Sequence, residues 1–453
     1  MGHWFEEAIF YHLYPLGVCG APAQNDLIAP PTPRLEKLLP WFDQARDLGA
    51  TALYLGPVFE SGSHGYDTVD FFQTDRRLGD NELLAHIVAA AHARGLRVLF
   101  DAVFGHVGRD FWAFRDLREH GAASPDRGWF RKIDFGRQSR FGDPFSYEYW
   151  NHSPELPRLD LSAAAVREHL FAAVDDWLAR YDIDGLRLDS ADSLDLNFLA
   201  ALREHCLRRK PDFFLLGEVI HGDYRRWANT QTLHSVTNYE AYKGLWSSHA
   251  QHNFFEIGHS LARQFGEHGL YRDLPLYNFA DNHDVNRLAS VLREREQLFS
   301  LYGLLFTMPG IPSLYYGSEW GIAGTRTATD DRPLRPCLDR AEMNNRYPSD
   351  LPDALRRFAA VRRGSPALCR GSYRQLSLAA EQLAFLRQAL EETVVVAVNA
   401  ASTEASINLH LPGIDKARLT DLLNPPERYA VTGGRASLVI PPHWLRVLRV
   451  ERN

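Results

Sequence analysis

Short apolar runs rich in β-branched and aromatic residues recur along most of the chain, each followed by a longer amphipathic stretch. The first four are AIFYHLY from Ala8, TALYLGP from Thr51, RVLFDAV from Arg97 and IDGLRLD from Ile183. FFLLGEV from Phe213, SVTNY from Ser235, LYNFAD from Leu276 and IPSLYYG from Ile311 complete the set. Between them, segments such as LEKLLPWFDQARDLG and AAVREHLFAAVDDWLARY carry helical periodicity. Runs that are apolar throughout, rather than alternating, suit parallel strands buried on both faces. Eight strand–helix units predict an α/β fold, a closed (β/α)8 TIM barrel in preference to an open doubly wound sheet. SVTNY is the weakest of the eight, and the count depends on it.

Two regions break the rhythm. Residues 107–161 are rich in Arg, Asp, Gly and aromatics without a strand–helix cadence, and so long an excursion after a barrel strand suits a functional insertion. Beyond about residue 371 the pattern is purely β, with LAFLRQAL, TVVVAVNAA, ASINLHL and ASLVIPPHWLRVLRV separated by PG, NPP and GG turns. The predicted organisation is a barrel over 1–106 and 162–370, an insertion subdomain over 107–161, and a C-terminal antiparallel β-sandwich domain over 371–453. A chain of 453 residues accommodates that plan.

A formal net charge of -7 and the lack of a basic block argue against nucleic acid as a partner. Cys19, Cys206, Cys337 and Cys369 are scattered without metal-ligand spacing and read as reduced thiols. The opening MGHWFEEAIF has acids where a signal peptide needs a basic and then an apolar region. No run approaches the ~20 apolar residues of a membrane span. A cytoplasmic protein without a membrane partner is expected.

The predicted strands end in polar residues. The second runs into GPVFESGSHGYD, the third into DAVFGH, the fourth into RLD, the fifth into GE and the seventh into NFADNHD. Barrel enzymes carry their chemistry at these C-terminal ends. Asp101, His106, Asp189, Glu218, His283 and Asp284 are thereby delivered to one rim. Any one of them alone is readily a strand or helix cap. Five ends aiming acids or histidines at one mouth are harder to explain structurally, because like charges repel and desolvation is costly. Metal-assisted hydrolysis would want HxH or HExxH spacing, which is lacking. Glycoside cleavage needs one carboxylate as nucleophile or base and one protonated acid. Aromatic residues near the mouth, with Tyr66, Trp150 and Trp320 as candidates, suit sugar stacking.

DAVFGH, LPRLDL, DGLRLD, GEVIH and FADNHD, supported by LYLGPVFE and MPGIPSLYYG, occur in this order along the chain. In them the sequence resembles the α-amylase family of retaining glycosidases and transglycosidases, most of all its neopullulanase, cyclomaltodextrinase and α-glucosidase group. The resemblance implies hydrolysis of α-1,4-linked maltodextrin-type oligosaccharides through a covalent glycosyl-enzyme, with α-1,6 linkages left open. It implies Asp189 as nucleophile, Glu218 as general acid and base, and Asp284 as transition-state stabiliser. Arg187 would orient Asp189 and hold it ionised, His106 and His283 would bond the sugar at the cleavage point, and Tyr66 would stack on it. Asp101 would orient its neighbours. Asp67 would bind a terminal sugar and close a pocket with Arg287, or else serve as a structural partner of an arginine.

Departures from the family pattern carry their own expectations. Gly105 stands where the family has a calcium-ligating Asn, so no cofactor is required and no metal is expected there, with oxygens of the insertion left open as calcium ligands. The group's N-terminal β domain has no counterpart here, which predicts a monomer, with a homodimer built some other way as the alternative. Asp192 stands where relatives have Asn. It either contacts the leaving group or, with Ser193, caps the helix DLNFLAALREHC, the preferred reading. Two alternatives to hydrolysis stay open: a transglycosylase or sugar isomerase of the same family, and a non-catalytic sugar-binding member.

Overall fold

The computed structural model describes residues 2–328 and 330–452. All eight predicted strands form: β1 (Phe10–Leu13), β2 (Ala52–Leu55), β3 (Arg97–Ala102), β4 (Gly185–Leu188), β5 (Phe214–Gly217), β6 (Ser235–Val236), β7 (Tyr277–Phe279) and β8 (Ile311–Tyr315). They make one parallel sheet in the order β6-β5-β4-β3-β2-β1-β8-β7. A parallel bridge between Thr237 and Tyr277 joins its two edges, so the sheet closes into a barrel. β6 is two residues long, which is why SVTNY gave so weak a signal. Every residue of β1, β2, β4, β5, β7 and β8 is buried, the two-sided burial that their unbroken apolar runs require.

Helices alternate with the strands: α1 (Leu39–Asp47), α2 (Asn81–His92), α3 (Ala164–Tyr181), α4 (Leu196–Arg209), α5 (Tyr239–Ala250), α6 (Phe254–Phe265), α7 (Gln297–Thr307) and α8 (Asp350–Arg363). Asp80 caps α2 by accepting from Leu83 N. The cap of α4 is Asp195, which accepts from Phe198 N, and neither Asp192 nor Ser193 fills that place. Asp192 sits instead in the turn Ala191–Ser193 before the helix.

Between β3 and α3 the chain forms the helix Trp112–His120 and a small antiparallel pair, Tyr149–Trp150 with Ser153–Pro157. It is stitched to the barrel rim by Leu159 N to Gly105 O at 3.2 Å and by Arg158 Nη2 to Ser193 O at 2.8 Å. On the inner side of α3 the indole of Trp177 stacks on Phe59 at 4.4 Å and donates to Phe71 O, filling the space behind β2 and β3.

The C-terminal part is an eight-stranded, antiparallel sheet: β9 (Ser372–Leu378), β10 (Gln382–Gln388), β11 (Thr393–Asn399), β12 (Ala405–His410), β13 (Lys416–Asp421), β14 (Arg428–Thr432), β15 (Arg435–Ile440) and β16 (Trp444–Arg452). The period-2 rule divides β10 and β11 between two cores. Leu383, Phe385, Val394 and Val396 join the main core. Ala384, Leu386, Val395 and Ala397 pack with Ile407, Leu438 and Ile440 in a separate one. Arg387 of β10, fully buried, ties the sheet to the barrel, with the fully buried Arg362 of α8 near it. Arg362 Nη1 donates to Phe306 O and Arg387 Nη1 to Thr307 O, so two cations lie at the electronegative C-terminus of α7.

Candidate active site

Asp101 and Arg187 are register partners on adjacent parallel strands, so their side chains point together into the barrel mouth. Arg187 is 3% exposed and serves three acids at once. Its Nη1 donates to Asp101 Oδ1 at 2.8 Å and to Asp189 Oδ1 at 2.9 Å, and its Nη2 reaches Glu218 Oε2 at 2.8 Å. Without that guanidinium the carboxylates would be buried charges lacking a counter-ion, a cost of several kcal/mol each. Asp101 also accepts from the Tyr54 and Tyr66 hydroxyls at 2.6 and 2.9 Å, which leaves it no free oxygen for a ligand. It is an anchor beneath the site.

Local backbone geometry sets Glu218 against Asp189. Ser190 adopts a left-handed conformation (φ 44°), unusual for a residue with a side chain, and this turns its N–H onto Glu218 Oε2 at 3.0 Å. A Cβ at Gly217 would lie 2.3 Å from Leu233 Cδ1 and 2.9 Å from Ala191 Cβ, so the GE pair needs its glycine for strand β5 to pass. On the other side, Glu218 Oε1 faces the Tyr239 hydroxyl at 3.3 Å. Burial pushes the Asp189 carboxyl well above the usual carboxylate range, against the pull of Arg187 and with the charges of Glu218 and Asp101 adding to the rise. Contrary to the expectation, Arg187 does not by itself hold Asp189 ionised, because burial outweighs it; with one guanidinium between interacting acids the proton is a property of the group rather than of one residue.

Asp284 completes the mouth. Its Oδ2 lies 2.9 Å from His283 Nε2 and its Oδ1 accepts from Arg335 Nη2 at 2.9 Å. Burial alone would raise this carboxyl; His283, and then Arg335, outweigh it and hold Asp284 well below the ordinary range. Arg335 also pairs with Asp331 at 2.7 Å and lies over the Tyr14 ring. The Tyr66 ring is parallel to His283 at 5.5 Å and shares its Nε2 by hydrogen bond. His106 bonds Tyr66 O at 3.0 Å and packs beside Trp150, and burial drives it down to about 3, so the ring is neutral. His106 Nδ1 and His283 Nδ1 have no protein partner.

The structure thus brings together Asp101, Arg187, Asp189, Glu218, His283, Asp284 and Tyr66, with His106 beside them. Arg287 is not among them, and its expected pairing with Asp67 does not form. It is fully buried, donates to Tyr316 O and Leu334 O, and lies 4.0 Å from the Tyr315 ring, because the loop after β7 turns it toward the protein interior just before the turn Leu288–Ser290. Asp67 is held by Ser63 Oγ at 2.8 Å, with its Oδ1 inaccessible, so it is no arginine's partner either. Trp320, 1% exposed, is a core residue and no sugar platform. Sequence reasoning missed Arg335, Asp331, Tyr14, Tyr239 and His12. His12 alone carried a signal, a polar residue inside the apolar run FYHLYP. It is buried face to face on Tyr54 at 4.0 Å and edge-on to His283 at 5.1 Å.

At the place of the family's calcium ligand the chain supplies no side-chain donor. Gly105 has no side-chain oxygen, and a Cβ there would already lie 3.0 Å from Leu194 Cδ2. Among the described residues no cluster of three or more His, Cys, Asp or Glu is placed to hold an ion.

A closed parallel barrel that gathers acids around one arginine at its C-terminal rim, beneath imidazole and aromatic groups, defines a glycoside-cleaving barrel enzyme. Comparison with known proteins narrows the class. A family model described as the α-amylase catalytic domain matches residues 40–350. A cyclomaltodextrinase of Geobacillus thermopakistaniensis is 30% identical over 99% of this chain and 78% of its own. Neopullulanase 2 of Thermoactinomyces vulgaris is 30% identical over 98% of this chain and 78% of its own. Among solved structures, the cyclic α-maltosyl-(1→6)-maltose hydrolase of Arthrobacter globiformis superposes with a TM-score of 0.81 at 25% identity, covering 99% of this chain and all of that one. The chain belongs to the α-amylase family, and with it to the α-glycosidases.

Proposed function

We propose that the protein hydrolyses α-1,4-linked gluco-oligosaccharides of the maltodextrin type with retention, through a covalent glycosyl-enzyme, with α-1,6 linkages as the open alternative. The observation that carries this reading is the bridging of Asp189 and Glu218 by the two nitrogens of one guanidinium. Such a bridge keeps the two carboxylates side by side, as the short separation of ~5–5.5 Å used by retaining enzymes requires. Asp189 attacks the anomeric carbon while Glu218 gives its proton to the departing glycosidic oxygen. A water then enters, Glu218 takes its proton, and the hydroxyl displaces Asp189 from the sugar. Asp284, held ionised by His283 and Arg335, accepts hydrogen bonds from the sugar hydroxyls and faces the positive charge that develops at the transition state. His106 and His283 support the same sugar site through Tyr66, to which both are bonded.

The substrate class rests on the names of the relatives together with a hollow of about 530 Å³ beside Arg335, between Tyr14, Leu16, His64 and Cys337. Its size is within the usual range of ligand pockets, and Arg335 and Tyr14 connect it to the mouth. In this reading the chemistry runs on side chains without a cofactor, in a cytoplasmic monomer divided into barrel, insertion and C-terminal domain as the sequence suggests. No helix among the described residues is long and apolar enough to cross a membrane.

The test uses maltotriose, a cyclodextrin, pullulan, isomaltose, sucrose and trehalose, with products read by chromatography and the first anomer by NMR. Glucan cleavage with α-anomeric product is expected, and Asp189→Asn and Glu218→Gln should each lower kcat/KM by about 1,000-fold or more. An inverted anomer, or cleavage that survives both substitutions, would overturn the reading.

A further inference from the structure

Glu218 has two different tasks in one turnover, and its two oxygens have different surroundings. Oε2 accepts from Ser190 N at 3.0 Å and is ion-paired with Arg187 Nη2 at 2.8 Å. These groups only donate, so Oε2 is unsuited to carry the proton that Glu218 must give away and recover. Oε1 faces a hydroxyl, Tyr239 Oη, at 3.3 Å.

The direction of that hydroxyl is set from behind. Asn282 Oδ1 accepts from Asp284 N at 2.8 Å and from Val285 N at 3.1 Å, which fixes the amide with its Nδ2 on the other side. Nδ2 lies 3.5 Å from Tyr239 Oη and donates to it. The Tyr239 proton is therefore free to point at Glu218. Burial also raises the Tyr239 phenol well above its ordinary range, so it stays protonated. The loop bearing Asp284 thus connects through Asn282 and Tyr239 to the oxygen of Glu218 that has no N–H donor. Packing keeps the ring in place, edge-on to Phe279 at 5.0 Å.

Resting on the assignment of Glu218 as acid and base, we infer that Tyr239 is a positioning residue that holds the proton-bearing oxygen of Glu218, Oε1, through both halves of the reaction. A hydroxyl fixed from behind by Asn282 donates to Oε1 in both states, so the proton on that oxygen is left to point at the glycosidic oxygen. When Glu218 protonates the leaving oxygen, its new charge on Oε1 meets the Tyr239 O–H, which favours the carboxylate. When Glu218 takes a proton from water, the same bond keeps Oε1 in place. No atom is exchanged between the two residues.

Tyr239→Phe removes only the hydroxyl and leaves the ring contacts. Two substrates separate positioning from general damage: maltotriose, whose leaving sugar needs a proton, and α-glucosyl fluoride, whose leaving fluoride needs far less help. For Tyr239→Phe, kcat/KM on maltotriose should fall about 10-fold or more, within the range that general acid catalysis contributes. On the fluoride it should change less than about 3-fold, and the basic limb of the maltotriose pH profile should move to higher pH. Equal losses on both substrates, or no loss on maltotriose, would overturn the inference. Glu218→Gln is measured alongside. If it retains maltotriose cleavage, the assignment of Glu218 fails. If it loses that cleavage while Tyr239→Phe does not, only the role of Tyr239 fails.

Discussion

Arg335 donates from Nη2 to Asp284 Oδ1 at 2.9 Å, from a loop that carries none of the motifs marking the other rim residues. The guanidinium is the second cation at the mouth and, like Arg187, it serves more than one acid, pairing also with Asp331. Its side chain is 8% exposed, so its contacts are little screened by solvent.

Replacing Arg335 by Met should leave Asp284 with His283 as its remaining close partner. Loss of one member of a buried charge pair typically costs a few kcal/mol, so kcat/KM on maltotriose is expected to fall about 100-fold. Asp284 must be ionised to act, and Arg335 helps hold it so. The acidic limb of the variant's pH profile should accordingly move to higher pH. A change below about 3-fold with an unmoved limb would show Arg335 to be a bystander.

Glu319 makes stability pH-dependent in the direction opposite to most acids. It is fully buried, its Oε1 accepts from Tyr11 and Gln44, and burial pushes it up to about 7 from 4.5. An acid raised on folding binds more protons in the native state, so its contribution is full below about pH 4.5 and is lost as pH rises through 7. Glu319→Gln should therefore remove the penalty above pH 7, amounting to ~3 kcal/mol at most. Urea denaturation at pH 5 and pH 8 measures this, and a variant-minus-wild-type difference equal at both values would refute it.

Arg387→Met should loosen the C-terminal sheet without touching the chemistry. Arg387 donates to Thr307 O at 2.7 Å, Gly371 O at 2.9 Å and Ser372 O at 3.2 Å, with no carboxylate among these partners. Leaving buried carbonyls without donors costs about 1–3 kcal/mol each, partly offset because no buried cation remains to be desolvated. A net loss of about 3 kcal/mol in urea unfolding is expected, with kcat/KM on maltotriose at 25 °C unchanged.

Asp67→Asn should prove mild. The enclosed Oδ1 and the bond from Ser63 make Asp67 part of the wall, and Arg287 is far too engaged with backbone carbonyls to join it. We expect kcat/KM on maltotriose within about 3-fold of wild type. A loss of ~100-fold confined to KM would restore the residue to direct sugar contact.

The barrel was legible because burial on both faces writes itself into composition: all eight runs became strands, even the two-residue β6. The rim acids were legible because strand ends deliver them in a fixed order. What escaped was whatever depends on where a side chain turns after the strand ends. Arg287 stands three residues beyond Asp284, yet its side chain runs inward to Tyr316 O and Leu334 O, whereas Arg335 reaches the mouth from a distant loop. The cap of α4 failed for a related reason: a short turn comes before the helix, so the nearer acid, Asp195, takes the N-terminal amides. Trp320 was misread because a tryptophan at a strand end has two apolar places to go, and here the core took it.

The sharing of Arg187 bears on how substrate complexes of this protein are best captured. A single nitrogen, Nη1, serves Asp101 and Asp189, while Nη2 is given to Glu218. Neutralising Asp189 therefore hands Nη1 to Asp101 and redraws the charge beneath the sugar, so a crystal of that variant would picture an altered floor. Neutralising Glu218 leaves the Nη1 arrangement standing, which makes Glu218→Gln the more faithful trap. For the same reason, substitutions at these acids will not add: the double variant should lose much less than the product of its two single losses.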